Sequence, residues 1–244
     1  MPDRTSAFTR TILAILCLSL TFATAAAQMS PPTSGSVQHP PLLNPTQPGV
    51  VSNLLVNGDF ENRTRPSGCY DNQSNAQVTA DLPGITAFGP ADEIDIYADG
   101  TPCLYGLPPQ SGIVKLAIDH QSNGPQDAFA FSLTTPVVAG TSYDFSCYAA
   151  PNRDFGGATG AVDIGLSNNP LDFGTLVWTG TPAAVEVWSH LTQTFIASMN
   201  ASYLTVRADG PLQSWLHVDN FSLSPTGVVS VRGTRWARLK AIYR

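Results

Sequence analysis

The chain has 244 residues, of which only 12% are charged, about half the share usual in soluble globular proteins. Gly and Pro number 20 each, which excludes helical bundles and coiled coils and favours short strands joined by turns. Hydrophobic residues at 43% allow a real core, and a formal net charge of -6 argues against nucleic acid as the main partner.

In chain order, residues 1–27 read as a signal peptide. Arg4 and Arg10 are its basic region, Thr11 to Thr24 its apolar run, and Ala25-Ala26-Ala27 the small residues before a cleavage site at Gln28. The apolar run is short for a membrane span, so the mature chain is expected to have no transmembrane span and to be secreted or held at the cell surface. Residues 28–50 carry six prolines and read as an extended linker.

Residues 51–225 show period-two alternation broken by Gly, Pro, Asn and Asp. Strands are predicted over 112–119, 128–138, 142–149, 160–166, 175–178, 188–197, 203–208 and 215–223. No segment there has a clear helical period. So many short antiparallel strands predict an all-β, two-sheet jelly-roll sandwich, since one open sheet would leave long edges exposed.

The cysteines left after signal removal are Cys69, Cys103 and Cys147. Cys147 shares a strand face with Tyr143 and Phe145 and reads as a buried small hydrophobe. Cys69 and Cys103 sit in polar, loop-like sequence and are paired as a disulfide. No C-x-x-C pair or spaced histidines suggest zinc.

Catalytic signatures are missing from the sequence: no G-x-S-x-G, no H-E-x-x-H and no glycine-rich phosphate loop. His39, His120, His190 and His217 read as surface or structural residues. The acidic run Asp92, Glu93, Asp95, Asp99 is the one segment that could hold a glycosidase pair, with a solvated edge as the plainer reading. For binding, rings that stack on sugars beside amide and carboxylate groups are required. The best loop is Tyr148 to Phe155, where Tyr148, Asn152, Arg153, Asp154 and Phe155 are the candidate ligand residues. Tyr70, Tyr97, Tyr105, Trp178 and Trp188 are further candidates.

Residues 226–244 form a basic tail with Arg232, Arg235, Arg238, Lys240 and Arg244. Trp236, Leu239 and Tyr243 would share one face of a short helix. The tail is expected to be dispensable for folding and to meet a surface or sorting partner.

Two segments carry a family likeness. Asn53 to Glu61 (NLLVNGDFE) and Trp215 to Leu223 (WLHVDNFSL) resemble the first and last strands of galactose-binding-like jelly rolls, in particular carbohydrate-binding modules of the family 4/9/22 type. Leu133 to Tyr143 and Thr192 to Ala197 resemble that family's middle hairpin and a later strand. The resemblance implies pairing of the two terminal strands. It also implies a structural Ca²⁺ site with Glu61 and Asp219 as ligands, Ca²⁺ being an ion that takes several hard oxygens. The function expected is a secreted, non-catalytic module binding a polysaccharide or cell-surface glycan. The alternatives are a structural or adhesive surface protein without a glycan ligand and, third, a glycan-active hydrolase.

Overall fold

The computed structural model describes residues 53–100, 103, 106–121, 123–152, 160–211 and 213–227. The predicted signal peptide, the linker and the tail beyond Gly227 lie outside the described residues. No helix among the described residues is long and apolar enough to cross a membrane.

The chain runs through β1 (Cys69–Gln73), α1 (Asn75–Asp81), β2 (Ile85–Ala87), β3 (Ile94–Tyr97), β4 (Lys115–His120), β5 (Ala128–Val137), β6 (Ser142–Pro151), β7 (Ala161–Ser167), β8 (Thr175–Gly180), β9 (Ser189–Ile196), β10 (Ala201–Asp209) and β11 (Ser214–Pro225). They form a six-stranded sheet, β1-β3-β4-β11-β6-β9, and a five-stranded sheet, β2-β5-β10-β7-β8. All pairings are antiparallel. The architecture is the predicted two-sheet jelly-roll sandwich.

Alternation builds the core. In β6 the side chains of Tyr143, Phe145, Cys147 and Ala149 are buried, and in β11 those of Leu216, Val218, Phe221 and Leu223 join them between the sheets. Phe60 lies at the centre, with its ring 5.8 Å from Phe131 and 5.8 Å from Phe221. Such a ring removes some 150–250 Å² from water.

Two local features depart from the sequence expectations. Asn53 to Glu61, expected as a strand, makes one bridge, Leu55 to Leu133, and then turns. Asn57 and Phe60 both sit at φ 59, a left-handed conformation that ends strand geometry. Pairing of the two ends survives in reduced form: Leu54 N–H donates to Leu223 O at 2.8 Å. Gly58 is required at the turn, since a Cβ there would lie 2.3 Å from Phe221 O. The second departure is α1, which rests on a capping box: Ser74 and Gln77 bond each other's backbone N–H. Val78 is its one buried residue, too few for a visible apolar period.

Candidate functional site

Directly paired residues of an antiparallel sheet point to the same side. On the outer side of the six-stranded sheet, Tyr148 pairs with Asp219 of β11 and with His190 of β9, forming a row across three strands. On one side of that row the face is open. Ser146 pairs with Thr192 and Ser222, and Asp144 with Thr194 and Ser224. These residues line a shallow groove of about 410 Å³. Its polar groups are hydroxyls, the His190 ring, the Gln193 amide and one carboxylate, Asp144, whose Oδ1 accepts from Thr194 Oγ1 at 2.7 Å. At its head the Tyr148 and His190 rings stack 4.6 Å apart, 19° from parallel. His190 is exposed and Tyr148 half-buried.

On the other side of the row the same face is covered. The outward residues Tyr97 of β3, Lys115 of β4 and His217 and Asp219 of β11 are fully buried, each 0% exposed. Their cover is the strap Gly106–Gly112, part of the β3–β4 connection. Asn220 of β11 holds two of the strap's side chains, its Nδ2 donating to Gln110 Oε1 and to Ser111 Oγ at 2.8 Å, and the sheet also holds the strap's backbone. Lys115 Nζ donates to Leu107 O. Trp188 Nε1 donates to Pro108 O at 3.1 Å. Asp219 Oδ2 accepts from the N–H groups of Gln110, at 2.9 Å, and Ser111, at 3.3 Å. Glycines bracket the strap. Gly106 has φ +75 and a Cβ there would meet His217 Nε2, while Gly112 has φ +62 and a Cβ would meet Glu61 Oε1. Only glycine meets both demands without strain.

Burial perturbs the groups beneath. It lowers Lys115 to about 8, although the charges of Asp219, Asp95 and Asp99 work the other way. Burial, with the charge of Lys115 adding to it, lowers His217 to about 3. It raises Asp95 to about 7 against the hydrogen bonds from Asn72 N–H and the Tyr97 hydroxyl. It raises Asp219 to about 7, with the charge of Glu61 adding to the effect. His217 Nε2 accepts from Asn152 Nδ2 at 3.2 Å, and its buried Nδ1 has no hydrogen-bond partner among the described residues.

At the far end of the covered half, Asp119 and Asp127 hydrogen-bond one another. Asp127 also accepts from Glu93 N–H at 3.2 Å and Asp119 N–H at 3.1 Å. Desolvation by burial, then the neighbouring carboxylate, holds Asp127 well above the usual carboxylate range. Nothing in the local sequence marks this pair, because its members lie eight positions apart across the β4–β5 loop.

The structure distributes the sequence candidates as follows. Cys69 and Cys103 form the expected disulfide, and Cys147 is a buried free thiol. Of the ligand candidates, Tyr148 borders the groove. Asn152 is 1% exposed and its amide is turned to His217, so it offers nothing to solvent. Arg153, Asp154, Phe155 and Tyr105 lie outside the described residues. Tyr97 is buried under the strap, Tyr70 is half-buried beneath the Arg65 guanidinium at 4.5 Å, and Trp178 packs on Phe145 in the core. The acidic run is dispersed: Asp92 accepts from Asn75 N–H, Glu93 from Gln121 Nε2 and Asp95 from Asn72 N–H. Glu61 Oε1 accepts from Ile113 N–H at 2.8 Å and Val114 N–H at 3.0 Å. Glu61 and Asp219 thus converge on the root of the strap, where amide donors occupy Oε1 of one and Oδ2 of the other. Asp219 Oδ1 is engaged as well, accepting from Asn220 N–H at 2.7 Å, so Glu61 Oε2 is the oxygen of the two carboxylates left without a backbone donor among the described residues. Sequence reasoning missed His190. Its register opposite Tyr148 was the signal, and register is not visible before the strands are paired.

No family model matches the chain, and no curated protein matches it. Solved structures resemble it. A CBM61 module in complex with β-1,4-galactotriose is 12% identical, covering 71% of this chain and 99% of that chain, with a TM-score of 0.41. The N-terminal cellulose-binding domain of β-1,4-glucanase C from Cellulomonas fimi is 17% identical, covering 58% and 88%, with a TM-score of 0.37. An arabinose-bound GH51 α-L-arabinofuranosidase is 18% identical, covering 73% of this chain but only 27% of that chain, with a TM-score of 0.48. The structures this chain is similar to therefore include carbohydrate-binding modules, in agreement with the resemblance read from its sequence. At these identities the likeness is one of fold and carries no argument about a ligand.

Proposed function

We propose that the chain is an exported, non-catalytic module that binds a polysaccharide or cell-surface glycan in the open groove of the six-stranded sheet. One observation carries the reading: a stacked Tyr148–His190 pair heads a trough of outward hydroxyls on a rigid sheet face. Ring faces stack on the C–H surfaces of a sugar and hydroxyls exchange hydrogen bonds with its own. Support for the non-catalytic part comes from Asp92, Glu93 and Asp95, each engaged by its own chain rather than paired across a cleft. Affinity electrophoresis against a panel of polysaccharides tests the reading. Wild type should be retarded by at least one polymer, and Tyr148→Ala or His190→Ala should weaken that about tenfold, the loss of about 1.4 kcal/mol. Retention of none would favour the structural or adhesive alternative.

Glu61 and Asp219 are our candidate Ca²⁺ ligands, on the ground that both carboxylates reach the root of the strap and the charge of Glu61 is felt at Asp219. Chelation should lower Tm, and Asp219→Ala should abolish the difference. An unchanged Tm on chelation would show that the amides of the strap root alone satisfy the pair.

A further inference from the structure

The strap and the groove share one sheet face, separated only by the row Asp219–Tyr148–His190. Under the strap that face keeps Lys115, Trp188, Asp219 and His217, a set with two donors, one acceptor and an unused ring nitrogen. A sheet face meant only to be sealed would be apolar, because buried charges cost free energy unless paired. Here the cover supplies backbone carbonyls to Lys115 and Trp188 and amides to Asp219, as a polyhydroxylated chain would supply its oxygens and hydroxyls, and leaves His217 Nδ1 unmet. Its Leu107, Pro108 and Pro109 side chains are not what the sheet's polar groups hold. Among the described residues the outer side of the strap is open at Pro108, Ser111 and Gly112, which are exposed. Left-handed glycines stand at both of its ends, where a segment can swing about few dihedrals.

We propose that Gly106–Gly112 is an internal stand-in for ligand, and that the face beneath it is a closed extension of the groove that takes further units of the same neutral polysaccharide when the strap swings away. This rests on the open groove being the polysaccharide site. Exchanging strap for polymer replaces one set of hydrogen bonds by another, so the strap tunes affinity by the fraction of molecules in which it is displaced.

The test compares wild type with Pro108→Gly/Pro109→Gly, which loosens the strap without touching the sheet. Both proteins are run on the same polysaccharide panel, and hydrogen exchange is followed at Gln110 and Ser111 against the β6 amides. The loosened protein should show faster exchange at Gln110 and Ser111 with β6 unchanged, and about tenfold stronger retention. A Lys115→Met variant, which removes one catch, should move exchange in the same direction. Equal retention by both proteins would overturn the inference and leave the groove as the site. Retention by the loosened protein alone would uphold it and overturn the open groove as a sufficient site. Retention by neither would overturn both. Strap amides that exchange only together with β6 would also overturn it, since the strap would then belong to the cooperative core.

Discussion

The covered and open halves of the six-stranded sheet's outer face are made by shared strands yet treat water oppositely. β11 contributes His217 and Asp219, sealed from solvent, to one half and Ser222 and Ser224 to the other. β6 contributes buried Ala150, paired with His217, to the first and exposed Asp144 to the second. Strand chemistry does not separate them; the strap does. A sheet face acquires perturbed ionisable groups where a loop lies on it, and stays an ordinary solvated surface one register step away.

The largest expected effect tests what holds the cover down. Cys69→Ser/Cys103→Ser opens a loop with a sequence separation of 34, a loss of about 3–4 kcal/mol in the chain-entropy picture. Thermal unfolding should show Tm lower by roughly 10 °C. A fall of only a degree or two would mean the strap's hydrogen bonds suffice without the tether.

A pH series is the next test. Asp127 has its pKa raised in the folded state, by burial and then by Asp119. The folded protein therefore holds this proton where the unfolded chain has released it. The pair's contribution to stability is fully present below the ordinary carboxylate range and is lost as pH rises through the raised value. Asp95, raised to about 7, acts in the same sense. Tm of wild type should fall between pH 5 and pH 8, and Asp127→Asn should flatten that slope. Asp144→Asn, in the open half, should leave it unchanged; an equal effect of both would erase the contrast between the halves.

The smallest effects belong to the groove. Thr192→Ala or Ser146→Ala should change stability by no more than about 0.5 kcal/mol, as for surface sites away from special features. Chemical denaturation checks this, and a loss above about 1 kcal/mol would show the groove floor to be structural.

Much of this division was legible in the sequence, but unevenly. The eight strands predicted from 112 onward appear as β4 to β11 because most alternate between a core side and an outer side, and because they are long enough, with turn residues at their ends, to be read even where, as in β7, every residue is buried. β1, β2 and β3 were not read. They are three to five residues long, and all four residues of β3 are buried, so it lacks the alternation that would have marked it. That burial also hid Tyr97, while in the 92–99 run Asp95 is buried and Asp92 and Glu93 are exposed, as the solvated edge requires. Tyr148 was found because a ring at an outward position of an alternating strand is unusual. His190 was not, because only pairing places it against Tyr148. The disulfide was legible because two of three cysteines stood in polar, turn-rich sequence, although Cys69 opens the short strand β1.

β11 is the last described strand and yet an interior one, lying between β4 and β6. During synthesis, then, the six-stranded sheet exists as two fragments with facing open edges until residues 214–225 have left the ribosome. Neither fragment can close its ladder by itself, and unpaired strand edges invite association with other chains. The order of elements thus makes the sheet's completion a late event, set by the arrival of residues 214–225 rather than by local strand formation.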